Sequence, residues 1–512
     1  MEEVKKLISD TSFIFSDYIA TAVLSFFYWV VAGKLLFPEQ YGIVATTVNF
    51  INFLSTFSMF GLGYVVWKLI PEYLERKQKN KIGSLIRFSL KVIFLLLLLI
   101  GTLLLFFSQV VTSSLKFSFE VLLIVIASMV ALTISSFFSH ILLGFQDPKK
   151  LFITDAIGHV LKLIISLLLI FLNFSYFGPL LGFLTCFLTI AVIRIIPLTG
   201  GTNIPLNTGA DIDKKMIIFK YAIPALISTI ALNAFINGQY LILTFIKNPE
   251  ITGFFAVAML LTSQIYVIPT ILTQALFPIT SRLSVSISKQ KRQNYMINLV
   301  FRYILFVSLP MAMLMILFSK PIVLIFSSEK YLPATELFPI LAIASLIYAC
   351  GNLLLTSLYA SGKPEINRNI VIVTTLAFLL FSIPLTYLFS SLGLAMAYMV
   401  AVSILTSLSY IFIRKYLHIA LPKKAILKLL IAIMISFGFF YVAASFTTGL
   451  LIGLLWAGIS MGIYLLSLLL LGFYVKDDIT IVKMFAERAP LFKKQVHTIL
   501  DFISKHTQNT IS

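Results

Sequence analysis

The chain is organised as long apolar stretches separated by short polar ones. Most of these stretches are about 20 residues or longer, whereas the strands of a membrane barrel are about ten residues of alternating polarity. The pattern therefore predicts an all-α polytopic membrane protein with fourteen transmembrane helices. The predicted spans lie near residues 12–33, 42–68, 86–108, 119–143, 151–172, 177–196, 217–245, 251–278, 298–318, 335–359, 369–389, 392–413, 426–446 and 450–473.

Composition excludes several other classes of protein. Of the 512 residues, 59% are apolar and only 12% are charged, about half the charged share of a soluble domain. Two cysteines are too few for a disulfide scaffold, and a chain this apolar is not intrinsically disordered. The polar material is insufficient to cover a soluble particle of this length.

The formal charge of +19 would suggest nucleic-acid binding in a soluble protein. Here 26 basic residues lie in the N-terminal segment, the alternate loops on the same side and the C-terminal tail, against five on the opposite side. Cytoplasmic loops collect Lys and Arg. The split predicts a multi-pass cell-membrane protein with both termini in the cytoplasm, and no nucleic-acid partner is needed to explain the charge.

The sequence also contains an internal repeat. Pro38 to Gly42, after span 1, and Pro249 to Gly253, after span 7, both read P-E-x-x-G at an offset of 211 residues. Two further loop matches follow in the same order, and such repeats are common in transporters. The predicted domains are an N-lobe at 1–208 (spans 1–6), a C-lobe at 209–420 (spans 7–12), an appendage at 421–474 (spans 13 and 14) and a cytoplasmic tail at 475–512.

The tail shows apolar residues at helical spacing from Phe492 to Ile503, with lysines between them. This pattern predicts an amphipathic helix that rests on the inner membrane surface and contacts membrane lipids. A partly frayed polar tail is the alternative.

Three features together carry a family resemblance: six plus six spans with two more at the end, the repeated P-E-x-x-G, and F-P-I-T-S-R-L at residues 277–283. They resemble the polysaccharide flippases of the multidrug/oligosaccharidyl-lipid/polysaccharide exporter superfamily. The resemblance implies two six-helix lobes in a V-shaped arrangement, a central cavity lined mainly by the first two spans of each lobe, and alternating access. It implies a polyprenyl-(pyro)phosphate-linked oligosaccharide as cargo, moved from the cytoplasmic to the outer leaflet for surface polysaccharide or glycoprotein synthesis. Glycosyltransferases of the same pathway are the implied protein partners.

The sequence contains no G-x-x-x-x-G-K-[ST] phosphate loop. We therefore expect no cofactor, and expect energy from a Na⁺ or H⁺ gradient, the membrane potential or the cargo gradient. No nucleophile–base–acid set and no metal-ligand cluster is visible, so we predict a transporter rather than an enzyme.

Span 5 carries the deepest ionisable residues. Lys162 lies about 16 Å into the span, and Asp155 and His159 share its helix face by their spacing. Ionisable residues at this depth are functional candidates by default. We predict that this stripe faces the cavity and that Lys162 meets a phosphate; an internal ion pair between helices is the alternative.

Asp17, in span 1, resembles in position the first-helix acidic residue of the superfamily's ion-coupled drug exporters. The resemblance implies an ion-coupling carboxylate. The alternative is a salt bridge near the inner interface, for instance to Lys68 or Lys220.

Other basic residues lie nearer the cytoplasmic ends of spans 2, 3 and 9. Lys91 and Arg302 are candidates for capturing the incoming headgroup, with Arg87 and Lys68 beside them. Snorkelling to inner-leaflet phosphates is the alternative.

Amides within the expected cavity spans suit sugar hydroxyls because they both donate and accept hydrogen bonds. Helix-to-helix hydrogen bonding is the alternative. The candidates are Asn49, Asn52, Asn233, Asn237 and Gln264.

Prolines interrupt the predicted second lobe, where each removes a backbone hydrogen bond and bends its helix. We predict hinges at Pro224 and Pro269, with Pro310 and Pro384 as further bends; static kinks are the alternative.

Three other functions stay open from sequence. A lipid II-type flippase shares the span count but is expected to carry several arginines in its first lobe, and spans 1 and 2 carry none. A cation-coupled multidrug exporter usually has twelve spans and an acidic cavity. A membrane glycan polymerase usually has a long extracytoplasmic loop, which this chain lacks.

Overall fold

The computed structural model describes residues 2–200, 210–284, 290–445, 450–475 and 478. These residues form an all-helical fold, which confirms the predicted class. A π-helix at Met216–Ala222 precedes α9 and a 3₁₀-helix at Glu329–Leu337 precedes α14. The α-helices are Glu2–Leu35 (α1), Pro38–Met59 (α2), Leu62–Glu75 (α3), Lys79–Phe106 (α4), Ser108–Leu115 (α5), Phe119–Gly144 (α6), Pro148–Phe171 (α7), Phe177–Gly200 (α8), Ile223–Ile246 (α9), Pro249–Thr262 (α10), Gln264–Leu283 (α11), Gln290–Leu317 (α12), Ser319–Phe326 (α13), Phe338–Ala360 (α14), Pro364–Leu417 (α15), Lys423–Ser445 (α16) and Leu450–Leu470 (α17).

Twelve helical segments in the described residues are long and apolar enough to cross a membrane, and α10 with α11 makes a thirteenth, bent by 48°. α15 has 54 residues, about 80 Å at 1.5 Å per residue, whereas the hydrocarbon core is about 30 Å thick. It is interrupted at Ser390, where φ is 57° and ψ is −136°, and it therefore contains the predicted spans 11 and 12. With that division the helices accommodate the fourteen predicted crossings.

The repeated loop motifs are helix starts. Proline opens α2, α7, α10 and α15, where its missing N–H would lack a partner in any case and its fixed φ suits the helix. At the start of α7 the Asp147 carboxylate accepts a hydrogen bond from the Lys150 backbone N–H at 3.2 Å. The sequence thus marks these boundaries directly.

The predicted second span, residues 42–68, is divided between two helices in the structure, α2 and α3. α2 ends at Met59, and Phe60 and Gly61 are left-handed, with φ of 51° and 70°. A Cβ on Gly61 would lie 2.3 Å from the carbonyl oxygen of Ala222, so only glycine allows this close approach to the π-helix. The break changes the direction of the chain between α2 and α3. The apolar run continues through it, so the length of the run does not predict the break.

The chain forms two compact units. Unit 1 contains residues 1–261, 323–337 and 371–401, and unit 2 contains 262–322, 338–370 and 402–512. The division into lobes at residue 208 stays a prediction. The predicted tail helix from Phe492 to Ile503 lies outside the described residues.

Within unit 1 the two P-E-x-x-G motifs pack against each other. A Cβ on Gly42 would lie 1.7 Å from the Pro249 carbonyl oxygen, and one on Gly253 would lie 2.0 Å from that of Pro38. Next to this contact, Thr244 on α9 hydrogen-bonds both Thr46 at 2.6 Å and Thr252 at 2.8 Å. The two copies of the repeat therefore meet in reciprocal backbone contact.

The predicted hinge prolines lie at distinct places. Pro269 is buried inside α11, with Pro310 inside α12 and Pro384 inside α15. Pro224 lies in the first turn of α9, directly after the π-helix. Since proline cannot donate the helical hydrogen bond, it favours a change of helix type at that junction. Their role as hinges stays a prediction.

Candidate functional site

Unit 1 contains a cavity of about 210 Å³ that is lined by polar and apolar groups. It is bordered by the C-terminal half of α2, the start of α3, the middle of α6 and the first half of α9. Its lining carries amides, hydroxyls and an imidazole among a few apolar side chains, and none of these lining residues is a carboxylate. They are Asn52, Ser55, Thr56, Met59, Gly61, Tyr64, Leu132, Ser136, His140, Thr229 and Asn233.

Two of the predicted amides, Asn52 on α2 and Asn233 on α9, line this cavity. Asn52 Nδ2 donates to the Val48 carbonyl at 2.9 Å, and Asn233 Nδ2 donates to the Thr229 carbonyl at 3.0 Å. Each amide therefore uses one N–H on its own helix, which fixes the direction of the side chain. An amide has one further N–H and an acceptor oxygen, which suits a hydroxylated ligand.

The other predicted amides lie beside or away from this cavity. Asn49 donates to the Ala45 carbonyl at 2.7 Å, one turn before Asn52. Asn237 Nδ2 donates to Asn233 Oδ1 at 2.6 Å, so it orients a residue of the lining. Gln264 belongs to unit 2 and contacts Ser263 Oγ at 3.4 Å.

His140, which the sequence analysis overlooked, is the ionisable member of the lining. Its Nδ1 lies 2.8 Å from the Ser136 carbonyl oxygen, and a Cβ on Gly63 would lie 2.8 Å from the same ring nitrogen. The glycine thus leaves room for the imidazole. His140 lies near the end of predicted span 4, and a survey of the ionisable residues in every span, including span 4, would have found it.

Two lysines lie around one tyrosine of the π-helix, whose last residue, Ala222, approaches Gly61 of the cavity lining. The Lys68 ammonium is 4.4 Å from the Tyr221 ring centroid and that of Lys220 is 5.8 Å from it. A cation over a tyrosine face is stabilised by the ring quadrupole. The predicted candidate Lys68 therefore belongs to a paired cationic feature.

A second cluster, of buried charges, joins α6, α7 and α8. Arg194, which is only 3% exposed, forms an ion pair with Asp155 at 2.7 Å. Its guanidinium also donates to Thr154 Oγ1 at 2.8 Å, to the Ser135 carbonyl at 3.1 Å and to the Ser139 hydroxyl. These bonds satisfy most of its five donors, which a buried guanidinium requires. Arg194 is not among the residues predicted from the sequence, because it lies near the predicted end of span 6.

Lys162 and His159 lie on α7, further along this cluster. Lys162 is 4% exposed, and its Nζ lies 3.4 Å from Ser25 Oγ and 4.5 Å from the Tyr28 ring centroid, both on α1. His159 packs against Phe187 with ring centroids 6.3 Å apart. The role of Lys162 in phosphate binding stays a prediction.

Asp17 on α1 lies within electrostatic range of Asp155 and Arg194. Its Oδ1 is buried and has no hydrogen-bond partner among the described residues. This places the predicted coupling carboxylate beside the Arg194 ion pair rather than beside Lys68 or Lys220.

The remaining predicted cations lie at other sites. Lys91 is exposed and Arg87 is half-buried on α4. Arg302, in unit 2, is 1% exposed and donates to the Phe473 carbonyl at 2.8 Å and to Asp478 at 3.2 Å. It therefore ties α12 to the segment after α17, and its predicted contact with the headgroup stays a prediction.

Comparison with known proteins gives the class. With a TM-score of 0.69 and 16% identity, the structure is similar to the lipid II flippase MurJ in its inward closed conformation, covering 88% of this chain and 97% of that one. With a TM-score of 0.61 and 15% identity, it is similar to an inward-facing multidrug resistance MATE family transporter of the MOP superfamily, covering 78% and 95%. The chain therefore shares its fold with this flippase and this transporter, and its apolar helices make it a multi-pass membrane protein.

The sequence gives the family. Residues 7–284 match the model of the polysaccharide biosynthesis protein family, and this chain belongs to that family. It is also 24% identical over 463 residues to an uncharacterized membrane protein of Methanocaldococcus jannaschii, covering 85% of this chain and 89% of the relative. The resemblance stated from the sequence is thereby confirmed.

Proposed function

We propose that this protein flips a polyprenyl-(pyro)phosphate-linked oligosaccharide from the cytoplasmic to the outer leaflet of the cell membrane by alternating access. The observation that carries the proposal is the cavity of amides and hydroxyls in unit 1, with the paired lysines 68 and 220 near it. A sugar headgroup needs such partners, because crossing hydrocarbon without them costs many kcal/mol. The absence of a carboxylate from this lining favours an anionic glycan over a cationic drug.

The proposal includes both termini in the cytoplasm, as the basic loops indicate, and a transport role rather than an enzymatic one. Membrane lipids surround the spans, and glycosyltransferases of the same pathway would supply the cargo. No cofactor takes part in the proposed cycle, and a Na⁺ or H⁺ gradient supplies the energy through Asp17.

The test is a leaflet-resolved flipping assay with the purified full chain in liposomes. The probe is a fluorescent polyprenyl-pyrophosphate-linked oligosaccharide, and its arrival in the outer leaflet is followed by a membrane-impermeant quencher. We expect faster exchange than in empty liposomes. Equal rates with and without the protein would overturn the proposal.

Replacing the two cavity amides should slow flipping. In the double variant Asn52→Leu/Asn233→Leu we expect a rate about thirtyfold lower, because two lost hydrogen bonds to the cargo, each worth about 1 kcal/mol, raise the barrier by about 2 kcal/mol. Thr102→Val is the control, since that hydroxyl is on the exposed face of α4 and bonds only to its own helix at 2.7 Å. An unchanged rate in the double variant would show that the two amides do not bind the cargo.

Asp17→Asn should abolish stimulation by an ion gradient and retain gradient-independent flipping. The neutral amide cannot exchange a proton or hold a sodium ion as a carboxylate does, although it keeps the shape of the side chain. Rates are measured in liposomes with an imposed Na⁺ gradient and, separately, an imposed pH gradient. If the variant responded to either gradient as the parent does, Asp17 would not be the coupling residue for that ion.

A lipid II-type flippase is the second candidate, and the fold likeness to MurJ favours it. Lipid II also carries sugars on a pyrophosphate, so the same cavity chemistry applies. Parallel assays with lipid II and with a lipid-linked oligosaccharide that lacks the peptide decide between them. Faster flipping of lipid II would support this second candidate.

A further inference from the structure

Three aromatic rings converge at the bend between α2 and α3. The ring of Tyr64 lies 6.1 Å from Trp67 and 5.4 Å from His140, and Trp67 lies 6.5 Å from His140, all between centroids. Tyr64 and His140 line the cavity of unit 1. We call these three residues the aromatic cluster.

The bend at Gly61 builds this cluster from the sequence G-L-G-Y-V-V-W-K. After the bend, Leu62, Val65 and Val66 are fully buried. Tyr64 and Trp67, one helical turn apart, are 46% and 44% exposed. Gly63 lacks the Cβ that would push the His140 imidazole away. The break at Gly61 and the three-residue spacing thus place Tyr64 and Trp67 on the open face of α3, and Gly63 leaves room for His140 from α6.

This open face also carries positive charge. Lys68, the next residue after Trp67, is exposed on the same face, and it lies against Tyr221 with Lys220 on the same ring. Along α3 the exposed residues therefore run from Tyr64, which lines the cavity, through Trp67 to Lys68 beside Tyr221.

Aromatic rings next to hydrogen-bonding groups suit a sugar. A pyranose ring with equatorial hydroxyls has an apolar C–H face that packs on an aromatic face, while its hydroxyls bind amides at the edge. A phosphate attached at the first carbon would lie beside the ring, where the paired lysines supply positive charge. The geometry thus matches a sugar phosphate better than an apolar tail.

We propose that the aromatic cluster is a stacking site for the phosphate-proximal sugar of the cargo, selective for a pyranose with equatorial hydroxyls. This inference rests on the proposed function and deepens it, because it assigns the sugar-binding surface and its preference. Tyr64 and Trp67 supply the stacking faces, and His140 fixes their angle from α6. Lys68 and Lys220 hold the adjoining phosphate.

Trp67 is one of only three tryptophans in the chain, so its fluorescence can be isolated. In the full chain with Trp29→Phe and Trp456→Phe, Trp67 is the only tryptophan fluorophore. The probes are a short-chain prenyl pyrophosphate that carries N-acetylglucosamine and the same prenyl pyrophosphate without sugar. We expect the sugar-bearing probe to quench and shift Trp67 emission and the sugarless one to leave it unchanged. Equal quenching by both would overturn the stacking site, since the phosphate alone would then explain the signal.

Binding of the sugar-bearing probe should weaken about tenfold in Trp67→Leu and much less in Trp67→Phe, because phenylalanine retains a stacking face. Trp456→Leu is the matched control, on α17 of unit 2. A probe whose sugar has an axial hydroxyl on its stacking face should bind the parent more weakly than the N-acetylglucosamine probe does. The two probes should bind Trp67→Leu equally. If Trp67→Leu bound and flipped the glycan as the parent does, the stacking site would be wrong and the flippase proposal would stand. If the parent flipped no glycan at all, the proposed function itself would fail.

Discussion

Arg194→Gln should lower the free energy of unfolding by about 3 kcal/mol. The substitution leaves the Asp155 carboxylate without its partner and removes the bonds that join α6, α7 and α8. Removing one member of a buried ion pair typically costs 3–5 kcal/mol, because the other charge stays buried. Titration with SDS in mixed micelles, followed by circular dichroism, measures the loss.

The double variant Arg194→Gln/Asp155→Asn tests the cause. Once both charges are gone, we expect at least half of the lost stability to return, since the penalty belongs to the unpaired carboxylate. Lys91→Gln is the control for a change of charge, because Lys91 is exposed on α4, and it should shift stability by less than about 0.5 kcal/mol. If the double variant were as unstable as Arg194→Gln, the unpaired Asp155 carboxylate would not be the cause of the lost stability.

Gly42→Ala should separate the two P-E-x-x-G motifs. The new Cβ would lie 1.7 Å from the Pro249 carbonyl oxygen, and because that atom is backbone the two helix starts must move apart. Overpacking of this kind costs about 1–3 kcal/mol or more. The measurement is disulfide formation between Thr46→Cys and Thr244→Cys, whose parent hydroxyls are 2.6 Å apart. We expect rapid cross-linking in the Gly42 chain and little in the Gly42→Ala chain.

Gly238→Ala is the matched control, because it lies on α9 in the same unit and no atom lies within 4 Å of its added Cβ. Alanine should there stabilise the helix by up to about 1 kcal/mol and leave cross-linking unchanged. Undiminished cross-linking in Gly42→Ala would show that the reciprocal contact tolerates a side chain and that the motifs are not tightly packed.

The positions of the membrane spans follow from the sequence because apolar run length is tied to bilayer thickness. The P-E-x-x-G motifs, which the sequence places in loops, are the first turns of α2 and α10 in the structure, since proline suits the first turn of a helix. The break at Gly61 does not follow, because its cause is a long-range approach of the Ala222 backbone that no local pattern records. The turn at Ser390 does follow, from the predicted gap between spans 11 and 12.

The candidate site follows from the sequence in part. Asn52 and Asn233 are in-span amides on expected cavity spans, and the structure places both in one cavity. The helix face shared by Asp155, His159 and Lys162 also follows from spacing. Their partners do not: Arg194, Tyr28 and Ser25 come from other helices. Spacing along one helix fixes which residues share a face, but the neighbouring helix is set by tertiary packing.

The meeting of the two P-E-x-x-G motifs has an evolutionary consequence. When a segment is duplicated within a gene, its copies ordinarily diverge independently. Here each copy is the surface against which the other fits, since Gly42 faces Pro249 and Gly253 faces Pro38. A bulkier residue in one copy would have to be accommodated by a change in its twin. A change at either glycine of this contact is therefore a change to both copies of the repeat at once.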